Sequence, residues 1–150
     1  MGNSPLNLDR QLCFRAYTAS RLTIRLYKPL LDQLKLTYPQ YVAMMVLWED
    51  KSIGFRDLGK KLKMSTGTLT PIVQRLEKLG YVSKEKDPDD DRKAIVLLTD
   101  EGQALIPLAE KIPVKIAQSL NLNLEEYKEY ANMLDGLLDR LENAHINTDD

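Results

Sequence analysis

The chain has 150 residues, of which 43% are hydrophobic, so it can bury one core but is too short for two independent domains. It starts with a mostly polar segment, and no apolar run approaches the ~20 residues that a membrane span requires. We therefore expect a cytoplasmic protein with no membrane partner. The formal net charge is −1, but residues 1–50 carry +2, residues 51–93 carry +4 and residues 94–150 carry −7. An anionic partner would therefore meet the central segment and be repelled by the last third.

The N-terminal segment predicts a long amphipathic helix. Asn7 is a candidate N-cap, and apolar residues recur at helical spacing from Leu8 to Leu34. Pro29 lacks the backbone N–H that an interior helical position donates, so we expect a bend just before it.

A second helix is predicted to begin at Thr37. Thr37 and Gln40 have the spacing of a capping box, in which each side chain accepts a hydrogen bond from the backbone N–H of the other residue. The helix continues to about Asp50. Its sequence is apolar on nearly every side, which predicts burial at the centre of the domain.

Two helices joined by a tight connection are predicted next. Residues 55–62 repeat apolar side chains at helical spacing, and only Lys63 and Met64 separate them from the second helix. That helix begins at Ser65, a good N-cap, and ends before Gly80. Its apolar face consists of Leu69, Ile72, Val73, Leu76 and Leu79. Two helices joined so closely indicate a helix-turn-helix.

A β-hairpin is predicted to follow. Residues 81–86 alternate apolar and polar side chains, and residues 94–98 are apolar and typical of a strand. The loop between them, DPDDDRK, has turn-forming residues followed by Arg92 and Lys93, and Asp90 is placed to hold the Arg92 guanidinium. A helix-turn-helix followed by an exposed hairpin is a winged helix, which makes the predicted fold α+β and mainly α.

Two further helices are predicted after the hairpin. Thr99 caps the first, which is interrupted at Pro107 and Pro113. Asn123, with Glu126 three residues later, opens the second, which runs to about Glu142. Their apolar stripes, together with that of the first helix, exceed what the winged unit can cover. A second copy of the chain is the expected partner for these stripes.

These elements predict one domain with three parts. Residues 1–51 hold the N-terminal helices and the only cysteine, residues 52–99 form the winged helix-turn-helix, and residues 100–150 form the C-terminal dimerisation helices. A basic winged helix binds DNA, and a two-fold dimer presents two of them. The expected partners are therefore a second copy and double-stranded operator DNA with half-sites about one helical turn apart.

The chain resembles the MarR family of bacterial transcription regulators. The resemblance covers about residues 8–142 and rests on the order of the elements, the segment GTLTPIVQRLEKLGYV, the wing pair Asp90 and Arg92, and the following LTDEG. Within that family, QLCFRAY, YKPLLDQL, LTYPQY and STGTLTP are similar to the OhrR subgroup of organic-hydroperoxide sensors. The resemblance implies a homodimeric repressor that leaves its operator when organic hydroperoxide oxidises one cysteine in each subunit.

The resemblance also implies roles for particular residues. Cys13 would be the redox-sensing thiol, stabilised as thiolate by the hydroxyl of Tyr17 and, from the other subunit, by those of Tyr27 and Tyr38. The implied DNA-binding residues are Ser65, Thr66, Gly67, Thr68, Thr70 and Arg75 on the second helix of the helix-turn-helix, and Asp90, Arg92 and Lys93 on the wing. Ser65 stands where sensors of this subgroup often have aspartate, so this chain has no carboxylate at that position.

The chemistry of Cys13 follows from its being the chain's single cysteine. One cysteine excludes an intrachain disulfide and a cysteine-rich zinc site, and we expect neither a metal nor a cofactor. Tyr17 at i+4 and Arg10 at i−3 place a phenolic donor and a cation on one side of the predicted helix, and both favour the thiolate, which is the form that attacks peroxide. The resulting sulfenic acid would be capped by a low-molecular-weight thiol, close on a backbone nitrogen or oxidise further.

Two alternatives remain open at this point. In the first, the chain is a MarR-type regulator released by a small aromatic acid in a cleft between dimer helices, and Cys13 is structural. In the second, it is a thiol peroxidase. The enzyme is least favoured because the chain lacks a thioredoxin-like βαβ pattern and concentrates basic charge on the predicted DNA-binding segment, so we expect a regulator and not an enzyme.

Overall fold

The computed structural model describes residues 4–148. They divide along the chain into two compact units, one up to Pro113 and one from Val114 onward. In chain order the elements are a 3-10 helix Leu8–Arg10, α1 Leu12–Asp32, α2 Tyr38–Asp50, β1 Ser52–Gly54, α3 Phe55–Leu62, α4 Thr66–Lys78, β2 Val82–Lys86, β3 Ala94–Leu98, α5 Asp100–Gln103, α6 Ile106–Ala109, α7 Lys111–Leu120 and α8 Leu124–Glu142. The fold is mostly helical with one small antiparallel sheet, and the predicted class is confirmed.

The long first helix begins later than predicted. The Asn7 side chain accepts a hydrogen bond from the Asp9 N–H at 2.9 Å, and it thereby caps the short 3-10 helix and not α1. Gln11 is extended, so α1 begins at Leu12. Pro29 does not split α1, which continues to Asp32. The missing N–H leaves the Arg25 carbonyl without its helical donor, which does not end the helix. The bend expected just before Pro29 stays a prediction.

The second helix lies at the centre of the first unit, as predicted. Gln40 accepts from the Thr37 N–H at 3.0 Å, and α2 follows directly. Trp48 donates through Nε1 to the Gly102 carbonyl at 2.9 Å, which ties α2 to α5. The fully or nearly fully buried apolar residues of this unit are Leu31, Leu34, Leu36, Tyr41, Ala43, Met44, Leu47, Leu58, Leu69, Val73, Leu76, Val82, Val96, Ala109 and Ile112.

The helix-turn-helix connection is as tight as the sequence predicts. Lys63 adopts a left-handed conformation with φ 55°, and the Met64 N–H donates to the Gly59 carbonyl at 2.9 Å. A Cβ at position 59 would lie 3.0 Å from the Met64 carbonyl oxygen, so glycine lets α3 approach this turn closely. Gly80 ends α4 in a second left-handed conformation with φ 79°.

The sheet has three strands in the order β1-β3-β2, all antiparallel. The predicted hairpin is confirmed, with Val82 opposite Leu98 and Lys86 opposite Ala94. The sequence did not predict β1, which pairs with β3 so that Gly54 lies opposite Ile95. That pairing brings the start of α3 next to the point where the wing leaves the sheet.

Three helices, and not one interrupted helix, follow the hairpin. Thr99 accepts from the Gly102 N–H at 3.0 Å and caps α5, as predicted. Pro107 lies in the first turn of α6 and Pro113 in the first turn of α7. Proline is tolerated in a first turn, where no intrahelical donor is needed, so each lies near the start of a new helix.

The predicted start of the last helix at Asn123 is confirmed, and a capping box forms there. Asn123 and Glu126 each accept a hydrogen bond from the other's backbone N–H, at 2.9 and 3.0 Å, and α8 extends to Glu142. None of its residues is buried within the described chain. Over residues 4–148, no helix is both long enough and apolar enough to cross a membrane.

Candidate functional site

The start of α4 presents short polar side chains to solvent. Ser65 accepts from the Thr68 N–H at 3.3 Å and donates its hydroxyl to Thr68 Oγ1 at 3.1 Å, which fixes both side chains at the first turn. Thr66 and Gly67 are also exposed. The amino end of a helix carries partial positive charge, so this turn favours a negatively charged partner.

The two faces of α4 differ in their exposure to solvent. Leu69, Val73 and Leu76 are buried against the unit, whereas Arg75 lies on the exposed side. Thr70 is half-buried and donates to the Thr66 carbonyl at 2.8 Å, which leaves its oxygen lone pairs as acceptors. Pro71 does not interrupt the helix, which is continuous to Lys78.

The wing loop is closed by its own backbone and side chains. The Asp87 N–H donates to the Lys93 carbonyl at 3.0 Å, and the Asp89 N–H donates to the Asp87 carboxylate at 2.8 Å. These bonds hold the loop as a turn, so the residues at its tip have a defined position.

Asp90 holds the Arg92 side chain, as predicted. Arg92 Nε lies 3.1 Å from Asp90 Oδ1, and a second guanidinium nitrogen lies 3.4 Å from Oδ2. Hydrogen bonds from the Arg92 side chain and backbone lower the pKa of Asp90. The Arg92 side chain is nevertheless 90% exposed, so the guanidinium is oriented and still free to meet a ligand.

Cys13 lies in the first turn of α1 and is exposed. Arg10 belongs to the preceding 3-10 helix, so the i−3 spacing to Cys13 is not a helical one, contrary to the sequence analysis. Tyr17 is one turn further along α1, and its ring stacks under the Arg21 guanidinium at 5.5 Å from the ring centre. The thiol is therefore accessible, with a phenol and a cation one and two turns away.

Tyr27 and Tyr38 pack against each other. Their ring centres are 5.0 Å apart in an edge-on arrangement, and Tyr41 lies 5.8 Å from Tyr27 and 6.2 Å from Tyr38. Trp48 extends the cluster, with its ring 6.1 Å from that of Tyr41. Burial, and then the neighbouring Tyr38, raise the pKa of Tyr27, so that its phenol stays protonated and able to donate.

Tyr41 and Trp48 belong to this aromatic cluster but were not among the predicted site residues, and Tyr41 contacts both predicted tyrosines. Burial raises the pKa of Tyr41 to about 12, with smaller contributions from Tyr27 and Tyr38. Its sequence signal is the three-residue spacing from Tyr38, which on a helix gives neighbouring side chains.

Within one chain, Cys13 does not meet Tyr27. They are separated by 14 residues of the same continuous helix, which is about 21 Å along its axis. Tyr38 packs on Tyr27 and therefore lies near the opposite end of α1 from Cys13. Any contact between Cys13 and these two hydroxyls therefore requires a second subunit, which is the arrangement that the resemblance implies.

Comparison with known proteins agrees with this architecture. The family model for the transcriptional regulators SarA and Rot matches residues 25–107. The organic hydroperoxide resistance transcriptional regulator of Bacillus subtilis is 37% identical over 136 residues, which are 91% of this chain and 92% of that protein. Both are described as regulators of transcription.

Two solved structures of AbfR, a protein of Staphylococcus epidermidis, are also similar. Reduced AbfR bound to DNA is 36% identical with a TM-score of 0.74, and overoxidized AbfR bound to DNA is 34% identical with a TM-score of 0.75. Each alignment covers 89% of this chain and 94% of the AbfR chain. The chain therefore belongs to the MarR family of winged-helix transcription regulators, within the group that includes the organic hydroperoxide resistance regulators.

Proposed function

We propose that the chain is a DNA-binding transcriptional repressor that leaves its operator when organic hydroperoxide oxidises Cys13. The observation that carries the proposal is the exposed single cysteine at the start of α1, in a chain that matches an organic hydroperoxide resistance regulator over 91% of its length. The DNA-bound structures of AbfR support the same function for the winged helix of this chain.

DNA would be bound by α4 and the wing. Ser65, Thr66, Gly67 and Thr68 at the start of α4 would enter the major groove, with Thr70 and Arg75 further along the helix. The wing would place Arg92 and Lys93 at the adjacent minor groove, with Asp90 orienting the guanidinium. The net charge of +4 on residues 51–93 supports this partner.

A second copy of the chain would complete the molecule. In the first unit, α1 exposes Leu12, Tyr17, Leu22 and Ile24; in the second unit, α8 buries none of its residues although apolar side chains recur along it. Large apolar side chains left exposed in this number indicate a protein interface. A two-fold dimer would present two α4 helices to half-sites about 34 Å apart. Residues 1–51 and 100–150 would supply the dimer contacts.

The oxidation step balances with one hydroperoxide for each cysteine. The Cys13 thiolate attacks the distal peroxide oxygen, the O–O bond breaks, and the departing alkoxide takes a proton to become an alcohol. The sulfenic acid then condenses with a low-molecular-weight thiol, which gives a mixed disulfide and water, because the chain has no second cysteine. Oxidation is a stoichiometric switch in this proposal and not catalytic turnover, and it takes place in the cytoplasm, where operator DNA lies.

Oxidation would act on DNA binding through the helices of the dimer. A mixed disulfide is larger than the thiolate and does not accept the same hydrogen bonds from Tyr17, Tyr27 and Tyr38. The helices around it would then repack, and a change in the separation of the two α4 helices would lower affinity at both half-sites.

Release by a small ligand is the second candidate function. A cleft of about 370 Å³ in the first unit is lined by Tyr41, Met45, Trp48 and Ile106, which offers an apolar surface to a small molecule. Glu49 and Glu110 also line it, and their carboxylates would repel an aromatic acid. A neutral ligand therefore fits this cleft better than the small aromatic acid that was expected for a ligand-released regulator.

The test is operator affinity before and after stoichiometric organic hydroperoxide in the presence of a low-molecular-weight thiol. We expect affinity to fall at least about tenfold, which is the loss of roughly 1.4 kcal/mol, and to return on reduction. Excess peroxide is avoided because overoxidized AbfR is bound to DNA in its solved structure. Full operator affinity after confirmed oxidation of Cys13 would refute the redox switch, and loss of affinity with a neutral aromatic compound alone would establish the second candidate.

Replacement of Arg92 by alanine should weaken operator binding by roughly 1 to 3 kcal/mol and lower the dependence of log affinity on log salt by about one unit. The wing turn should survive, because its closing bonds are made by Asp87, Asp89 and Lys93. Affinity measured at several salt concentrations checks this. If the salt dependence and affinity are those of the unmodified protein, the wing does not contact DNA.

Replacement of Tyr27 or Tyr38 by phenylalanine should slow Cys13 oxidation roughly tenfold, because each change removes a hydroxyl that favours the thiolate while the ring packing stays. Tyr41→Phe is the matched control, since it alters a buried phenol of the same cluster. The rate of thiol loss under hydroperoxide is the measurement. Equal rates of thiol loss in all three variants would show that the Tyr27 and Tyr38 hydroxyls do not stabilise the Cys13 thiolate.

A further inference from the structure

A cleft of about 390 Å³ opens between the first turn of α3 and the base of the wing. We call it the wing cleft. The charged side chains that line it are Arg56, Asp57 and Lys60 from α3 and Asp87, Arg92 and Lys93 from the wing. None of the α3 residues was among the predicted DNA-binding residues.

The charges of the wing cleft favour an anion. Four cations and two carboxylates line the wing cleft. One of the cations, Arg92, forms an ion pair with Asp90, which lies outside the cleft. Arg56 and Lys60 are four residues apart on α3 and both are exposed, and over residues 4–148 neither forms an ion pair. Like charges at this helical spacing repel each other, and an anion between them would remove the repulsion.

The fold keeps the two sides of the wing cleft together. Gly54, which precedes α3, pairs with Ile95, and Ala94 at the start of that strand pairs with Lys86. The Lys84 ammonium lies over the Phe55 ring at 4.4 Å from its centre, which links β2 to the first residue of α3. The first turn of α3 and the base of the wing are therefore held next to each other by the sheet.

We infer that the wing cleft binds a phosphate of the DNA backbone next to the groove entered by the wing, and that Arg56 and Lys60 are the cations that hold it. This rests on the proposed function, because the wing cleft faces DNA only if the wing does. The contact would come from the first helix of the helix-turn-helix and would be independent of base sequence. It would fix the position of the wing along the DNA, because α3 and Arg92 would contact the same stretch of the DNA backbone.

The test compares two double variants with the same spacing and the same loss of charge. Arg56→Ala with Lys60→Ala removes the proposed contact. Lys111→Ala with Lys115→Ala, both exposed on α7, is the matched control. Because α7 belongs to the proposed dimerisation region, sedimentation first establishes that both variants have the oligomeric state of the unmodified protein. Affinity is measured on operator and on a random duplex at four salt concentrations, with the reduced full-length protein. Thermal unfolding of each variant establishes that it is folded.

We expect the wing-cleft variant to lose roughly tenfold in affinity on both duplexes and to lower the salt slope by about one to two units, since phosphate contacts act uniformly across sequences. The control should keep the slope of the unmodified protein. Equal losses in the two double variants would overturn the inference, as would an unchanged slope in the wing-cleft variant. Either of these two results could be obtained while the unmodified protein still binds its operator. Failure of the unmodified protein to bind DNA would overturn the proposed function itself.

Inorganic phosphate separates a DNA contact from a general anion site. It is titrated into the unmodified protein at constant ionic strength, with chemical shifts of the Arg56 and Lys60 backbone amides as the readout. We expect no saturation at low millimolar concentration, because a single phosphodiester contact is held in place by the rest of the DNA interface. Saturable binding in that range, lost in the wing-cleft variant, would make the cleft a site for free phosphate and overturn the inference.

Discussion

Replacement of Cys13 by serine should give a protein that binds operator as the reduced protein does and does not release it after hydroperoxide treatment. Serine has nearly the size of cysteine, so the exposed first turn of α1 should keep its conformation. Its hydroxyl is not oxidised by peroxide. The unmodified protein should lose at least about tenfold in affinity under the same treatment, or about 1.4 kcal/mol.

Methionine oxidation is the main competing cause of release, because the chain has five methionines. Mass spectrometry of the treated Cys13→Ser protein shows whether they have reacted. If the variant keeps its operator while its methionines are oxidised, they are excluded as the switch. Release of DNA by the variant would mean that Cys13 is not the sensor, and the small-ligand function would then take first place.

The elements predicted best are those with local capping signals. The Thr37–Gln40 and Asn123–Glu126 spacings set the starts of α2 and α8, and Ser65 set the start of α4. A capping interaction lies within four residues and depends little on the rest of the fold. The hairpin was predicted for a similar reason, since the alternation of its side chains is a local property.

The elements predicted poorly depend on contacts that are distant in sequence. β1 has three residues, too few for a recognisable period, and it exists because it pairs with β3 more than 40 residues later. Asn7 has the residue type of a helix cap, but the backbone stays extended at Gln11 and the cap serves only a short 3-10 helix. The prolines after Thr99 were correctly identified as interruptions, yet the sequence did not show that each lies in the first turn of a new helix.

The candidate site shows the same division between local and distant information. Asp90 and Arg92 are two residues apart, and their pairing was predictable. The aromatic cluster joins α1 to α2, and the wing cleft joins α3 to a loop about 30 residues later, so both require the folded chain. The proposed contact of Cys13 with Tyr27 and Tyr38 requires a second subunit, because the length of α1 separates them in one chain.

Gly102 occupies a crowded backbone position in the first unit. Its N–H donates to Thr99 Oγ1 at 3.0 Å, and its carbonyl accepts from Trp48 Nε1 at 2.9 Å. A Cβ at this position would collide with the Tyr81 carbonyl oxygen and lie 2.8 Å from a Leu98 methyl group. The neighbouring backbone cannot move easily, because Thr99 donates its N–H to the same Tyr81 carbonyl at 3.1 Å.

Replacement of Gly102 by alanine should therefore lower the free energy of unfolding by about 2 to 4 kcal/mol, from overpacking and from weakening of the Trp48 hydrogen bond. Gly67→Ala is the matched control, because a Cβ there meets nothing within 4 Å and the residue lies in a helix. That change should be neutral or stabilise by up to about 1 kcal/mol. Denaturant unfolding at one protein concentration, without DNA, measures both. Equal stability of the two variants would show that α5 can move away from β2 without loss, and that Gly102 is not required for their close packing.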